Sequence, residues 1–373
     1  MTDDYSANLT LPAAANALLD ADGPALVLTH AKPDGDALGS VLALVTTLRG
    51  LGRPCRGLLV PPIPDALRNL DGADTLDVFE PADPSGVEAA IDAALDPEPT
   101  QIVIVDTGAY SQLGPLRAVV EPRLHQTLII DHHLSGDVPA PRRLIDGTAA
   151  ATCEIVAELI ELMVEPRVPP GRRQTDTAGY KPLPPVTRDA LFVGIASDTG
   201  WFRFSNTSPA THELAARLLR MGTDAAGLYQ RLEQAERPEK LNLLCRAVSN
   251  LHLLPEHHAA VMVLRASDFE QTGARPDETE RLVDIPQIVD DVQVVVLVTE
   301  HEVADANGGK HPQTKMSFRS KPAPLDAGTD RAVNVARLAA KFGGGGHARA
   351  AGAKVDRPID DVVPDVLAAL REL

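Results

Sequence analysis

Aromatic residues are scarce in this chain: 7 Phe, 4 Tyr and 1 Trp make up 3% of 373 residues. A surface on which successive bases stack needs many such rings, so an extended stacking platform is excluded, while a single stacked base is not. Basic residues are also in deficit, with 35 Lys and Arg against 52 Asp and Glu and a formal net charge of −17. Proteins that coat long nucleic acids need a continuous basic track, because their affinity comes largely from phosphate neutralisation and counterion release. A long duplex is therefore excluded as a partner, and any phosphate chemistry must be local. Cysteine is rare as well: Cys55, Cys153 and Cys245 lie far apart, with no CxxC pair to suggest zinc or a redox couple. They read as small buried apolar residues of a reducing compartment. No apolar run approaches the roughly 18 to 20 residues that span a bilayer, and MTDDYSANLT lacks a positive segment followed by an apolar one. The expectation is a soluble, cytoplasmic protein with no membrane partner.

What is present is enough for real cores, since 44% of residues are apolar, and the length suits about two domains. Short runs rich in Val, Ile and Leu at 25–29, 57–60, 101–105 and 127–130 are bounded by turn residues, as buried parallel strands are. Helical spacing at 37–51, 87–95 and 152–163 alternates with them, which is the α/β pattern. A stretch rich in Pro and charge, 165–185, reads as an exposed insertion, after which 187–196 and 209–221 resume helical spacing. Residues 233–254 read as a helical linker without a strand partner. Strands near 259–264, 292–299, 314–319 and 351–355, with helices at 331–342 and at the C-terminus, predict a smaller α/β domain with a mixed sheet and helices on one side. The loop 304–313 should form an exposed hairpin tip. The predicted fold class is thus α/β, with a larger N-terminal domain (1–232) whose parallel sheet is flanked by helices, and a smaller one at 255–373.

Acids and histidines fall at the predicted strand ends. ALVLT runs into His30, Asp34 and Asp36; QIVIV delivers Asp106; TLII delivers Asp131, His132 and His133; and Asp198 follows an apolar helix. In an open α/β sheet the carboxyl ends of the strands share one edge, so these residues can converge. One Asp before a helix reads most simply as an N-cap. Five Asp and three His together would repel without cations, and two divalent ions supply the missing charge. Oxygen-rich donors with a minority of imidazole suit manganese or magnesium. Asp106 would bridge two cations, His30 and Asp34 completing one and Asp36, His132 and Asp198 the other. Asp131 would orient a ligand histidine through its other ring nitrogen, and His133 would face a substrate phosphate and protonate a leaving oxygen.

A second signal follows the pattern VNVARLAAKF. Gly343, Gly344, Gly345 and Gly346 precede His347 and Arg349, which suits a phosphate clamp of backbone N–H groups and charged donors, joined by Arg319.

These pieces in this order resemble the DHH phosphoesterase family, whose name-giving motif stands here as Asp131-His132-His133, with GGGGHARAAG looking like the DHH-associated domain. The segments SDTGWFRFSNTSP and VNVARLAAKFGGGGH look most like its NrnA-type branch. The resemblance implies a catalytic role for Asp106, Asp131 and His133, and two manganese ions per chain, with magnesium as the alternative. It also implies a homodimer that degrades very short RNA or DNA oligonucleotides in the 5′ to 3′ direction and dephosphorylates 3′-phosphoadenosine 5′-phosphate (pAp). It places His347 and Arg319 on substrate phosphate or base; Arg349 and Asn334 are weaker candidates read from their positions alone, and Arg203, Ser205 and Asn206, which follow the fourth acid motif, read equally as nucleotide contacts or structural groups. The alternatives are a RecJ-like single-strand DNA exonuclease and a phosphodiesterase for linear pApA or pGpG.

Overall fold

In the computed structural model, residues 5–80, 86–164, 183–304, 309–321 and 333–373 are described. Most of the insertion expected at 165–185, and the tip of the loop at 304–313, lie outside them. The chain divides into two compact units, Met1–Ala235 and Glu236–Leu373.

The first unit is built on a six-stranded sheet of β1 (Ala25–Ala31), β2 (Cys55–Val60), β3 (Asp77–Val78), β4 (Gln101–Val105), β5 (Thr127–Asp131) and β6 (Arg142–Ile145). Every pairing is parallel, in the order β3-β2-β1-β4-β5-β6. β4 and β5 are buried along their whole length, as expected for strands covered on both faces. On one face lie the helices Gly35–Gly50, Thr152–Val164 and Pro185–Asp198; Leu113, Leu116, Val119 and Val120 cover the other. The strand order reverses between β1 and β4, which opens a crevice at their carboxyl ends.

Helix Gly35–Gly50 carries apolar residues all round and is buried over nearly its whole length. Gly39 lets it lie against helix Pro185–Asp198, because a Cβ at this position would stand 2.5 Å from the Ala190 carbonyl oxygen. The two helices that carry Asp36 and Asp198 are thereby held together.

The second unit has β7 (Leu251–Leu254), β8 (Ala259–Leu264), β9 (Val294–Ala304), β10 (Lys310–Ser320), β11 (Gly345–Gly346) and β12 (Ala350–Val355), in the order β11-β12-β10-β9-β8-β7. β8 and β9 are parallel and the other pairs antiparallel, so the sheet is mixed. Two sequence expectations differ here. The linker stretch contains helix Pro238–Ser249, whose Leu243 and Ala247 are buried with Ala260 and Met262 of β8, and it ends in β7, paired to β8. Helices also cover both faces of the sheet, Val335–Ala340 and Ile359–Leu370 on one and Pro238–Ser249 and Ala266–Thr272 on the other. The alternation of β9, which sends Val296 and Val298 to one core and Val295 and Leu297 to the other, explains why.

Replacing Gly39 by Val should cost about 1–3 kcal/mol or more through overpacking. It should also weaken divalent-cation binding, since it pushes Asp36 away from Asp198. Denaturant unfolding and metal titration check both; a variant with normal metal affinity would contradict the coupling.

Candidate metal centre

Each strand end is shaped to present its acid. After β1, Asp34 caps helix Gly35–Gly50 through Oδ1, which accepts from the Asp36 and Ala37 amides at 3.1 and 3.0 Å. The simple N-cap reading of Asp34 therefore holds alongside any other role. Asp36, in the first turn, is fully buried, and its Oδ2 and Oδ1 accept from the Thr152 and Cys153 amides at 2.6 and 2.9 Å. Those amides belong to the opening turn of helix Thr152–Val164, where N–H groups have no partner in their own helix. Asp106 follows β4 with φ +62°, a left-handed conformation that Asp tolerates better than most residues. Its amide still donates to Ile130 at 3.0 Å, and its Oδ1 accepts from the Thr152 hydroxyl at 2.9 Å.

Among the described residues, three sets of donors each bring one ligand atom per residue within 4.8 Å of one another: His30, Asp34 and Asp106; Asp36, His132 and Asp198; and Asp106, His132 and His133. The first two are the sets expected from the sequence.

The imidazoles test whether cations fit. His132 Nδ1 lies 3.3 Å from the Ala149 carbonyl, which can only accept, so the ring proton sits on Nδ1 and Nε2 keeps a lone pair. That Nε2 is buried without a hydrogen-bond partner, 3.5 Å from Asp106 Oδ1 and 3.3 Å from Asp198 Oδ2. Likewise His30 Nδ1 lies 3.0 Å from the Ala31 carbonyl, turning Nε2 towards Asp106 Oδ2 at 3.6 Å and Asp34 Oδ1 at 4.0 Å. Lone pairs aimed at carboxylate oxygens repel unless a proton or a cation lies between them. The donor set fits divalent cations.

Charge on the carboxylates agrees. Burial first, then the neighbouring carboxylates Asp36 and Asp34, push Asp198 up to about 9. Asp106 rises well above the ordinary carboxylate range from burial and from Asp36, Asp34, Asp198 and Asp131, and Asp36 rises through burial and Asp34. Asp198 is also the last residue of its helix, the end that disfavours an anion.

Asp131 has a different partner from the one expected. It is fully buried, and its Oδ1 accepts from His133, from the amide at 3.1 Å and from Nδ1 at 2.8 Å. It thus orients His133, while the Ala149 carbonyl sets the ring of His132. The cause is local: an Asp at a strand end readily accepts from the amide two residues on, which brings the His133 ring back over the carboxylate. The hydrogen bond to Asp131 raises the pKa of His133.

In the second unit the turn between β11 and β12 exposes His347 and Arg349, closed by a hydrogen bond from the His347 amide to Ala350 at 2.8 Å. Arg319 on β10 pairs with Ala350; its Nη1 donates to the Phe318 carbonyl at 3.2 Å, and its Nε lies 3.6 Å from Asp284. The glycines are less available than expected. The Gly344 amide donates to Ala339 at 3.0 Å, and Gly345 and Gly346 form β11 against Gly352 and Ala351. Asn334 caps helix Val335–Ala340 through Oδ1, which accepts from the Ala336 amide at 3.1 Å. Asn206 is structural: its side chain donates to the Ala150 and Asp198 carbonyls at 3.0 and 3.1 Å. Arg203 Nε donates to the Gly200 carbonyl at 2.6 Å, and Ser205 is exposed.

Residues 24–195 match the DHH family, N-terminal domain, and residues 258–373 match the DHHA1 domain. The chain carries a DHH-family N-terminal domain followed by a DHHA1 domain. It is 29% identical over 360 residues to the bifunctional oligoribonuclease and PAP phosphatase NrnA of Thermus thermophilus, covering 96% of this chain and 92% of that one. An exopolyphosphatase-related protein from Bacteroides fragilis shares the fold, with a TM-score of 0.79 and 21% identity over 97% of this chain and 95% of that one. RecJ from Thermus thermophilus, solved in complex with Mn2+, does so more loosely, with a TM-score of 0.52 and 18% identity over 98% of this chain and 55% of its own.

Sequence reasoning missed two groups in the DHH unit. Thr152 supports both Asp36 and Asp106, and its only trace in the sequence is its place at a predicted helix start. Tyr5, 126 residues from its partner, donates from its hydroxyl to Asp131 Oδ2 at 2.7 Å, and no motif flags it.

Two outcomes follow from this geometry. Thr152→Val keeps the amide but removes the hydroxyl that holds Asp106, and should weaken metal binding by roughly 10–100-fold in a Mn2+ titration. The raised carboxylates also set a pH dependence for the metal-free protein. Its folded state keeps protons that the unfolded chain releases near pH 4, so their stabilisation is complete below that pH and is lost as the pH rises towards about 9. Added Mn2+ should therefore raise Tm little near about pH 5 and more near about pH 8. Equal gains in thermal melts at both pH values would contradict the assignment.

Proposed function

We propose that this DHH enzyme, a metal-dependent phosphoesterase, degrades very short oligonucleotides from the 5′ end to mononucleotides and dephosphorylates pAp to AMP. The observation that carries the reading is two adjacent donor sets, His30, Asp34 and Asp106 beside Asp36, His132 and Asp198, with the buried Asp106 Oδ1 3.5 Å from His132 Nε2 of the second set. The name of the Thermus relative, which covers nearly the whole of both chains, supports the substrate class.

In this reading His30, Asp34 and Asp106 would hold one divalent cation and Asp36, His132 and Asp198 a second, with Asp106 placed to serve both. Manganese is the proposed ion and magnesium the alternative, in line with the oxygen-rich donors. Such a pair supplies Lewis acidity and neutralises charge on a phosphoryl group in transfer.

The remaining work belongs to the chain. Thr152 and Cys153 fix both oxygens of Asp36, so that carboxylate cannot turn away. His133, 43% exposed at its side chain, is held through Nδ1 by Asp131, which favours the protonated ring. The Nε2 proton is then available to the leaving oxygen of a phosphoester, and the ring reprotonates from solvent. His347, Arg319 and Arg349 would hold substrate phosphate in the DHHA1 unit. A cytoplasmic homodimer belongs to the same proposal. Separately, no described helix is long and apolar enough to cross a membrane.

Purified protein with Mn2+ should release phosphate from pAp and mononucleotides from 5′-labelled RNA or DNA, turning over two- to five-residue substrates faster than 20-mers. If neither pAp nor any oligonucleotide is cleaved, the reading is wrong. His347→Ala should raise KM for pAp while leaving Mn2+ affinity unchanged; an unaltered KM would remove His347 from the substrate site.

A further inference from the structure

We propose that Tyr5 is a positioning residue for this reaction: its hydroxyl pins Asp131, and Asp131 in turn pins the His133 imidazole. The proposal rests on the reading of His133 as proton donor.

The chain of contacts is short and buried. Asp131 is fully buried and has two oxygens to satisfy. His133 takes Oδ1 twice, at 3.1 and 2.8 Å, and the Tyr5 hydroxyl takes Oδ2 at 2.7 Å. A carboxylate turns readily about its last torsion, since that torsion is broad. Fixing Oδ1 alone leaves the group free to swing; fixing both oxygens sets the plane in which His133 Nδ1 is received. That bond puts the ring proton on Nδ1 and leaves Nε2 for exchange with substrate.

The Tyr5 ring has a made seat. A Cβ on Gly108, in the loop after β4, or on Gly136, in the loop after β5, would overlap the ring. The two loops are tied together beneath it, the Asp137 and Val138 amides both donating to the Gly108 carbonyl at 2.9 Å. The segment carrying Tyr5 is laced to the edge strand β6. The Asn8 and Leu9 amides donate to the Arg143 carbonyl at 2.9 and 3.0 Å, the Arg143 amide donates to Asn8 Oδ1 at 2.7 Å, and Arg143 Nε donates to the Ser6 carbonyl at 3.1 Å. Helix Leu11–Leu19 then buries Ala14, Ala15 and Leu18 in the core. A segment from the far end of the sequence is thus anchored from Ser6 onward, immediately after the residue whose hydroxyl reaches Asp131 of the DHH motif.

Tyr5→Phe keeps the ring in its seat and removes the hydroxyl, whereas Tyr5→Ala empties the seat. With Mn2+ and pAp, Tyr5→Phe should stay folded with a modestly lowered Tm, as expected from one hydrogen bond lost to a buried carboxylate, keep wild-type KM and lose about 10-fold or more in kcat. The loss should vanish in a His133→Gln background, where no imidazole remains to be positioned. A merely structural ring would leave Tyr5→Phe at wild-type kcat, or would give the same loss with and without His133, and either result overturns the proposal. A second readout needs no turnover. In metal-free protein, at a pH where the ring is neutral, 15N shifts of His133 should report one Nδ1–H tautomer in wild type and a mixture in Tyr5→Phe. A single tautomer in both overturns the proposal. If wild type cleaves no phosphoester, the proton-donor reading fails, and the tautomer measurement still decides whether Tyr5 holds Asp131.

Discussion

Negative charge gathered in a space too dry to hold it is the constraint on which the first unit is organised. Asp36 and Asp106 are buried, Asp198 lies within reach of His132, and two imidazole lone pairs face the carboxylate oxygens. Without counter-charge, such a group can fold only by taking up protons, as the raised Asp36, Asp106 and Asp198 show. Proton uptake and cation binding are thus two answers to one electrostatic problem, and they compete for the same oxygens.

The fold meets that problem with rigid parts. β1, β4 and β5 are adjacent and in parallel register, so His30, Asp106 and the DHH motif leave the sheet at one edge. Asp36 is fixed by the opening turn of helix Thr152–Val164, where free amides stabilise an anion, whereas Asp198 ends its own helix, where an anion is disfavoured. The first arrangement offsets part of the cost of burying a carboxylate, and the second offers no such offset. Gly39 keeps the two helices in contact, so the pair cannot relax apart.

Much of this was legible in the sequence because it rests on local pattern. Val and Ile runs marked the central strands, and strand ends marked the acids. What was not legible depends on contacts between distant segments. β3 and β6 are short and lack a continuous apolar run, so nothing local distinguishes them from loop. β7 reads as the end of a polar linker until its pairing with β8 is seen. The partner of Asp131 was misjudged for a related reason. Spacing puts a carboxylate beside two histidines, and backbone geometry alone decides which ring it meets. Tyr5 is the extreme case, since a lone tyrosine in a polar segment acquires meaning only from two glycines more than 100 residues away.

The acidity that first argued against nucleic acid has a more specific consequence. At a net charge of −17 the chain repels a long polyanion, and every added phosphate increases that repulsion unless a basic group meets it. Arg319 already lies 3.6 Å from Asp284, so part of its charge is spent within the protein, which leaves His347 and Arg349 as the exposed charge-capable donors of that turn. Phosphate attraction in this reading is therefore confined to two cations and a small clamp. Such an arrangement favours substrates with few phosphates because each one beyond the clamp adds repulsion without adding a contact.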